Sequence, residues 1–152
     1  MGASLIQSLK ARGGDFEFIG VGGERMAAEG VASLMPMEEL CVMGLWEVMG
    51  QLLRLNRLIH GMVEEIEKAQ PDAVVTIDLP DFNFRVGARL KKRGIFKGKI
   101  IHYGAPSVWA WRPGRAKKVA EFLDGMMCLF PFEPEYFIKE GLNSAFVGHP
   151  LA

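Results

Sequence analysis

Short apolar runs that suit strands alternate along this chain with segments of helical periodicity, and this alternation constrains the fold most. The run Ala73–Ile77 is continuous and mostly β-branched, which is typical of a parallel strand buried on both faces. Helical patterns flank it at about Leu45–Ala69, which ends before Pro71, and at Phe84–Lys92, which ends at Gly94. Strands that alternate with helices predict an α/β domain built on a doubly wound parallel sheet.

The same patterns predict the remaining elements. Further strands are expected at Phe16–Val21, Val31–Met35, Lys99–Tyr103, Met126–Phe130 and Ala145–Val147. Further helices are expected at Leu5–Lys10, Gly23–Glu29, Arg115–Leu123 and Pro134–Lys139. The sequence opens in a helix and stops after a strand, so we expect one domain that is cut at both ends.

Composition excludes several classes of protein. The 152 residues carry 18 basic and 18 acidic side chains, whereas a dedicated nucleic-acid binder would have a basic excess. Cys41 and Cys128 are the only cysteines and lie far apart, which fits a reducing compartment and offers no zinc-ligand cluster. The richest apolar stretch, Leu40–Leu53, is interrupted by Glu47 and Gln51 and is too short to span a membrane. No signal peptide precedes it, so we expect a cytoplasmic protein.

Glycines follow the first predicted strand, and ligands of open parallel sheets bind beyond the carboxyl ends of strands. Gly20 and Gly22 resemble a dinucleotide-binding fingerprint, but Arg25 stands where its third glycine should be. We interpret the segment as a glycine-rich turn from strand to helix, where a ligand could still approach the backbone.

Carboxylates follow the apolar strand Ala73–Ile77. Asp78 ends this strand, where desolvation would suit a carboxylate to general-base catalysis. Asp81 and Asn83 come shortly after it and could contact a substrate. Both residue types also cap helices well, and the sequence does not decide between these two roles.

The next predicted strand is followed by a loop rich in aromatic side chains. Trp109, Trp111 and Arg112 suit sugar stacking or phosphate binding, although a packed loop over the sheet edge is an equal alternative. Ser107 lacks a Gly-x-Ser-x-Gly elbow, so we do not expect a hydrolase nucleophile. His102 lies within the strand and is interpreted as a core histidine.

The long helix carries one apolar stripe and further apolar side chains away from it. The stripe comprises Leu45, Val48, Met49, Leu52, Leu55, Ile59, Met62, Val63 and Ile66. Trp46 and Leu53 fall outside the stripe, near Arg54 and Arg57, as on a helix that binds a membrane interface. Burial against another domain or a subunit explains these two residues equally well.

Several segments together resemble the lipid-A-disaccharide synthase family. They are Phe18–Met26, Met37–Gly44, Ile77–Asn83, Pro106–Arg112, Leu129–Glu133 and Val147–Pro150. Their order and their spread over nearly the whole chain make the resemblance specific. It implies the Rossmann-like, acceptor-side N-terminal half of an inverting glycosyltransferase of the GT-B type.

The resemblance implies a reaction and roles for residues. The family joins UDP-2,3-diacylglucosamine to 2,3-diacylglucosamine 1-phosphate at the inner membrane surface, without a cofactor, a metal or a nucleic-acid partner. Asp78 is then the candidate general base. The substrate-binding candidates are Glu47, Asp81 and Asn83, with Ser107, Trp109 and Arg112 from the aromatic loop. The candidate membrane patch comprises Trp46, Val48, Met49, Leu52, Leu53 and Leu55, with Asn56 departing from the family's apolar pattern.

Three departures from the family pattern shape our expectations. The family's first strand, its Gly-Glu-x-Ser-Gly-Asp turn and its second, UDP-sugar-binding domain have no counterpart in residues 1–152. We therefore expect an incomplete N-terminal domain that is inactive and poorly stable by itself. The alternatives are a non-catalytic module that binds lipid or membrane surfaces, and another sugar-nucleotide enzyme of the GT-B type.

Overall fold

The computed structural model of the protein describes residues 1–34, 48–110 and 114–149, and from residue 53 onward it describes the side chains of the long helix. The chain divides into two compact units, Met1–Leu52 and Leu53–Ala152. Each unit contains its own parallel sheet.

The first unit contains two short helices and two short strands. In chain order these are α1 (Gly2–Ala11), β1 (Ile19–Gly20), α2 (Glu24–Ala28) and β2 (Ala32–Ser33). β1 and β2 pair in parallel over two residues, so the strand predicted from Phe16 to Val21 is shorter than expected. The ring of Phe16 instead stacks on that of Phe18, with 5.9 Å between centroids.

The second unit is a four-stranded parallel sheet with a helix between each pair of consecutive strands. Its strands are β3 (Ala73–Ile77), β4 (Lys99–Tyr103), β5 (Gly125–Cys128) and β6 (Ser144–Phe146), in that spatial order. The intervening helices are α4 (Pro80–Arg93), α5 (Gly114–Ala120) and α6 (Pro134–Ile138). The predicted α/β class with parallel strands is confirmed, and β3 and β4 have the predicted bounds.

From residue 53 onward, where its side chains are described, the long helix α3 (Val48–Ala69) buries or half-buries the residues of the predicted apolar stripe. Ile59 and Val63 are fully buried and Ile66 is nearly so. At the end of α3, Glu67 forms a bidentate ion pair with Arg93 of α4, and both nitrogen–oxygen distances are 2.8 Å. Such two-point pairing fixes the end of α4 against α3 better than a single contact would.

The burial of β3 differs from the prediction. β3 is an edge strand of the four-stranded sheet, and Val75 is 37% exposed, so the expected burial on both faces is wrong. β4 lies inside the sheet, and its Ile100 and Tyr103 are buried as expected of a central strand. The β-branched composition therefore identified β3 as a strand but not its place at the edge.

Helix α4 begins earlier than its apolar pattern predicts. Pro80 occupies its first turn, where a missing N–H costs nothing, and Leu79 is the residue that precedes the helix. Asp81 and Asn83 consequently lie inside the first turn. The alternative that either residue is the N-cap of this helix is wrong.

Candidate functional site

Backbone hydrogen bonds hold the loops at the carboxyl ends of the four strands side by side. The N–H of Asp78 donates to the carbonyl of Tyr103 over 3.1 Å, and that of Gly104 donates to Met127 over 3.0 Å. On the far side, the N–H of Val147 donates to Cys128 over 2.9 Å. The segments that follow β3, β4, β5 and β6 thus share one edge, where ligands of parallel sheets bind.

Asp78 presents an exposed carboxylate at this edge. Its side chain is exposed and, within the described residues, makes no hydrogen bond or ion pair. The expected burial of Asp78 is wrong, because β3 is an edge strand and the chain turns outward with a positive φ of 50° at this residue. The carboxylate is therefore accessible to a hydroxyl group of a ligand.

Asn83 faces the backbone of the same turn. Its side-chain amide donates to the carbonyl of Ile77 over 3.1 Å and to that of Asp78 over 2.7 Å. Since carbonyl oxygens only accept hydrogen bonds, the amide nitrogen must face them. Both donors of Asn83 are therefore used within the protein.

Asp81 lies beside an arginine that the sequence analysis missed. Its carboxylate accepts a hydrogen bond from Nη2 of Arg115 over 3.0 Å, although the Asp81 side chain is 93% exposed. The guanidinium of Arg115 also lies 5.2 Å from the ring centroid of Phe84. A signal was available, because Arg115 follows Arg112 after Pro113-Gly114, where a helix begins.

His102 lies buried beneath this region and pairs with Thr76 on the neighbouring strand. Its Nδ1 is 2.8 Å from Oγ1 of Thr76, and its ring meets that of Phe84 edge-on at 4.7 Å. Burial lowers the pKa of His102 to about 4; a hydrogen bond to the backbone of Gly104 opposes this shift, and the charge of Arg115 adds to it. The neutral ring is thus part of the core, as predicted.

Exposed aromatic rings line the edge beyond β4 and β5. The ring of Trp109 meets that of Phe132 edge-on at 5.4 Å, and Phe132 stacks on Phe130 at 5.7 Å. Each of the three is close to half exposed, and we refer to them together as the aromatic surface. Ser107 is also exposed, just before this surface in sequence, whereas Arg112 lies outside the described residues.

Glu133 is a buried carboxylate that the sequence analysis did not single out. One of its oxygens accepts the N–H groups of Leu129 and Phe130, each over 3.0 Å, and only 2% of the residue is exposed. Burial, with the nearby charge of Glu133, raises the pKa of the Cys128 thiol to about 12. A glutamate directly before Pro134, just after a strand, was the available signal for this turn.

The candidate membrane patch is described only in part. Trp46 and the substrate-binding candidate Glu47 lie outside the described residues, as do the side chains of Val48, Met49 and Leu52. Leu53 is 72% exposed, as expected from its position off the stripe, and Leu55 is half-buried. Arg54 and Arg57, the basic neighbours of Leu53, are exposed as well.

The glycine-rich segment of the first unit is a turn from strand to helix, as interpreted from its spacing. It connects β1 to α2, and Gly23 directly precedes the helix. A Cβ atom at Gly22 would lie 2.8 Å from Cβ of Met26, so a glycine is needed there for packing.

Two kinds of feature are absent from the described residues. Across residues 1–34, 48–110 and 114–149, no three His, Cys, Asp or Glu side chains cluster so that they could hold a metal ion. Nor is any helix in this part of the chain long and apolar enough to cross a membrane.

The parallel strands and the residues at their carboxyl edge define the class of the protein, a Rossmann-like α/β domain. A family model described as Lipid-A-disaccharide synthetase matches residues 1–152, and the chain therefore belongs to the lipid-A-disaccharide synthase family. The parallel α/β fold agrees with the expected N-terminal half of a GT-B glycosyltransferase.

Individual relatives carry the same name. The chain is 50% identical to the lipid-A-disaccharide synthase of Rhodospirillum centenum over 152 residues, which cover 99% of this chain and 38% of the relative. Identity is 49% to the Azotobacter vinelandii protein and 47% to that of Pseudomonas aeruginosa, with all of this chain and 39% of each relative covered. The chain thus spans about 39% of the length of these relatives.

Proposed function

We propose that this chain is the acceptor-side, N-terminal part of a lipid-A-disaccharide synthase. The whole enzyme would transfer the diacylglucosamine of UDP-2,3-diacylglucosamine to 2,3-diacylglucosamine 1-phosphate, giving lipid A disaccharide 1-phosphate and UDP. The observation that carries this proposal is the family match over residues 1–152, together with 47–50% identity to named synthases.

In this proposal Asp78 is the general base of an inverting transfer. Its carboxylate takes the proton of the acceptor's 6-hydroxyl as that oxygen attacks the anomeric carbon. The bond from this carbon to the diphosphate breaks, and UDP leaves with the electron pair. A carboxylate that is exposed, has no partner among the described residues and lies at the carboxyl edge of a parallel sheet supports this role.

The substrate-binding roles rest on the same edge. Trp109 offers an exposed ring for the apolar face of a sugar, and Ser107 precedes it in the same loop. We propose that Arg112 and the helix N-termini meet phosphate charge, so that no metal is required. Glu47 and Asp81 remain candidates for contacts to sugar hydroxyls.

We further propose that most of the UDP-sugar site lies in a second domain and that residues 1–152 alone have no transferase activity. A direct assay of the chain tests this part of the proposal. The purified chain is mixed with both lipid sugars, and disaccharide product is sought by mass spectrometry. Product above the level of a sample without protein would contradict it.

Association with the cytoplasmic surface of the inner membrane would bring the enzyme to its lipid substrates. Leu53, which is 72% exposed and is followed by Arg54 and Arg57, supports this part of the proposal. Leu53→Ser should weaken co-sedimentation with vesicles that contain anionic lipid. Ile138→Ser, at an apolar residue that is 55% exposed on α6, is the matched control and should not. If both variants bound the vesicles as strongly as the parent chain, Leu53 would not belong to a membrane-binding patch.

The catalytic role of Asp78 is tested in a full-length chimera, in which this chain replaces the matching segment of the Azotobacter vinelandii relative. Asp78→Asn should lower kcat about 10²–10⁴-fold, the usual cost of losing a general base. Asp72→Asn is the matched control, because Asp72 precedes β3 and Asp78 follows it. If Asp78→Asn lowered kcat less than tenfold, Asp78 would not be the general base. A chimera that binds vesicles but forms no product would favour a non-catalytic lipid-binding module.

A further inference from the structure

The turn that carries Asp78 has an unusual backbone. Asp78 and Leu79 are consecutive non-glycine residues with positive φ values of 50° and 41°. Among the described residues, only Gln70 is a further non-glycine residue with positive φ. Left-handed conformations disfavour side chains that have a Cβ atom, and leucine has no polar group with which to offset the cost. Contacts around the turn must therefore hold this pair in place.

Asn83 supplies such contacts to the two peptide groups that precede Asp78 and Leu79. Its amide bonds the carbonyl of Ile77, which precedes Asp78, and the carbonyl of Asp78, which precedes Leu79. The first turn of α4 continues the restraint, because the N–H of Asn83 donates to the carbonyl of Leu79 over 3.0 Å. Asn83 is thus bonded to three successive carbonyls of the turn.

The backbone and the side chain of Asp78 differ in their contacts. The N–H of Asp78 is held by the carbonyl of Tyr103, so β4 also fixes the turn. The carboxylate of Asp78, by contrast, has no partner within the described residues. Every restraint acts on the backbone, and the side chain that could react is left available.

We propose that Asn83 is a positioning residue, which holds Asp78 and Leu79 in the left-handed conformation and so aims the Asp78 carboxylate at the ligand. It acts through the backbone and makes no hydrogen bond to substrate from its amide nitrogen. This inference rests on the proposed function for the identity of the reaction, but the structural restraint can be tested without it.

The first test is a double-mutant cycle in the full-length chimera. Asn83→Ala should lower kcat about tenfold or more and leave KM within about twofold, because the base is misplaced while the substrate is still bound. Leu79→Gly removes the cost of positive φ at that residue, so Asn83→Ala should cost less in the Leu79→Gly background. An equal loss in both backgrounds, or a rise in KM at unchanged kcat, would overturn the proposal in favour of direct substrate contact.

Matched variants separate positioning from general damage. Asn143→Ala removes an exposed amide at the amino end of β6 and should leave kcat unchanged. Asn83→Asp keeps the shape but sets a carboxylate against two carbonyl oxygens, so it should reproduce the loss in kcat. A fully active Asn83→Asp enzyme would contradict the proposal, even if Asn83→Ala failed to fold.

A second test uses amide hydrogen exchange in the full-length chimera and its variants, with no substrate. Asn83→Ala should speed exchange at Asp78 at least about tenfold and leave Ile101, in the middle of β4, unchanged. Unchanged exchange at Asp78 would overturn the restraint. If exchange speeds up but Asp78→Asn in the chimera retains its activity, the restraint stands and the proposed catalytic role fails, so the two failures are distinguishable.

Discussion

Aspartate side chains at the two ends of the four-stranded sheet have opposite surroundings. At the amino end, Asp124 accepts the N–H of Ile100 over 2.9 Å and pairs with Lys99 over 3.4 Å. At the carboxyl end, Asp78 is exposed and has no partner in the described part of the chain. One aspartate is used to join neighbouring strands, and the other is left available to a ligand.

The pKa of Asp124 shows that its contacts between the strands favour the folded protein. Burial acts to raise it, but the hydrogen bond from Ile100 and the charges of Lys99 and Lys91 outweigh burial and lower the pKa below its ordinary value. The ionised form is therefore stabilised by folding, and this contribution is lost as pH falls below the ordinary value. Asp124 at the amino end thus contributes to stability, whereas Asp78 at the carboxyl end has no partner among the described residues through which it could contribute.

The largest expected loss of stability lies at the amino end, in Gly98→Ala. A Cβ atom at Gly98 would lie 2.6 Å from the carbonyl oxygen of Asp72, and it would also meet Phe96 and the backbone of Pro71. Backbone atoms cannot move aside cheaply, so the free energy of unfolding should fall by about 3 kcal/mol. Denaturant-dependent hydrogen exchange at the β4 amides measures it.

Gly61→Ala is the control for that substitution. Gly61 lies within α3, and its Cβ atom would meet nothing within 4 Å. An alanine there should be neutral or stabilising by up to about 1 kcal/mol, because glycine is a poor helix former. Equal effects of the two substitutions would show that the amino end of the sheet is less tightly packed than its distances indicate.

The second prediction concerns the centre of the sheet, between the two ends. His102 has a pKa of about 4 when folded and about 6.5 when unfolded, so the unfolded chain binds the extra proton between these values. Stability from the neutral ring is complete above about pH 6.5 and should fall by up to about 3 kcal/mol as pH drops to 4. His102→Gln should flatten this dependence in hydrogen-exchange measurements.

His60→Gln is the matched control for the pH dependence. His60 is exposed on α3, and its variant should lose stability with falling pH as the parent does. A His102→Gln protein with the parent's full pH dependence would assign the effect to other groups.

The sequence predicted the elements of the second unit better than their surroundings. Local patterns were enough to place β3 and β4 at their observed bounds, because β3 is a mostly β-branched run and β4 carries isoleucines and a tyrosine, which favour strands. The exposure of Val75 depends on which strands pair with β3, and no local pattern encodes that. The early start of α4 depends on Pro80 and on the left-handed backbone of Leu79. A leucine in the sequence does not predict a left-handed conformation.

The candidate site was predictable to a similar extent. Topology alone placed Asp78 and Trp109 at the carboxyl edge, because Asp78 directly follows β3 and Trp109 lies in the loop after β4. The contacts of Asn83 were not predictable, since they depend on the turn geometry that the structure reveals. Arg115 and Glu133 were missed because their partners, Asp81 and the backbone at Leu129, become apparent only after folding.

A third prediction tests whether every carboxylate at the carboxyl end is dispensable for stability. Glu133 is buried there, and its charge is stabilised by two backbone N–H groups. Glu133→Gln replaces charge-assisted bonds with weaker ones and should lower the free energy of unfolding by about 2 kcal/mol. Glu135→Gln, at an exposed neighbour on α6, should change it by less than about 0.5 kcal/mol. A neutral Glu133→Gln would place this turn among the parts that do not contribute to stability.

The smallest expected effect on stability belongs to Asp78→Asn. The side chain is exposed and has no partner in the part of the chain that the structure describes, and asparagine tolerates left-handed backbone better than most residues do. The free energy of unfolding should therefore change by less than about 0.5 kcal/mol, although the same substitution should abolish most turnover in the chimera. Thermal denaturation of the 152-residue chain, alongside Asp124→Asn, measures the contrast. Asp124→Asn should cost about 1 kcal/mol, because its bond to Ile100 loses charge assistance. If Asp78→Asn cost as much as Asp124→Asn, the two ends of the sheet would not differ, and Asp78 would have a structural role as well.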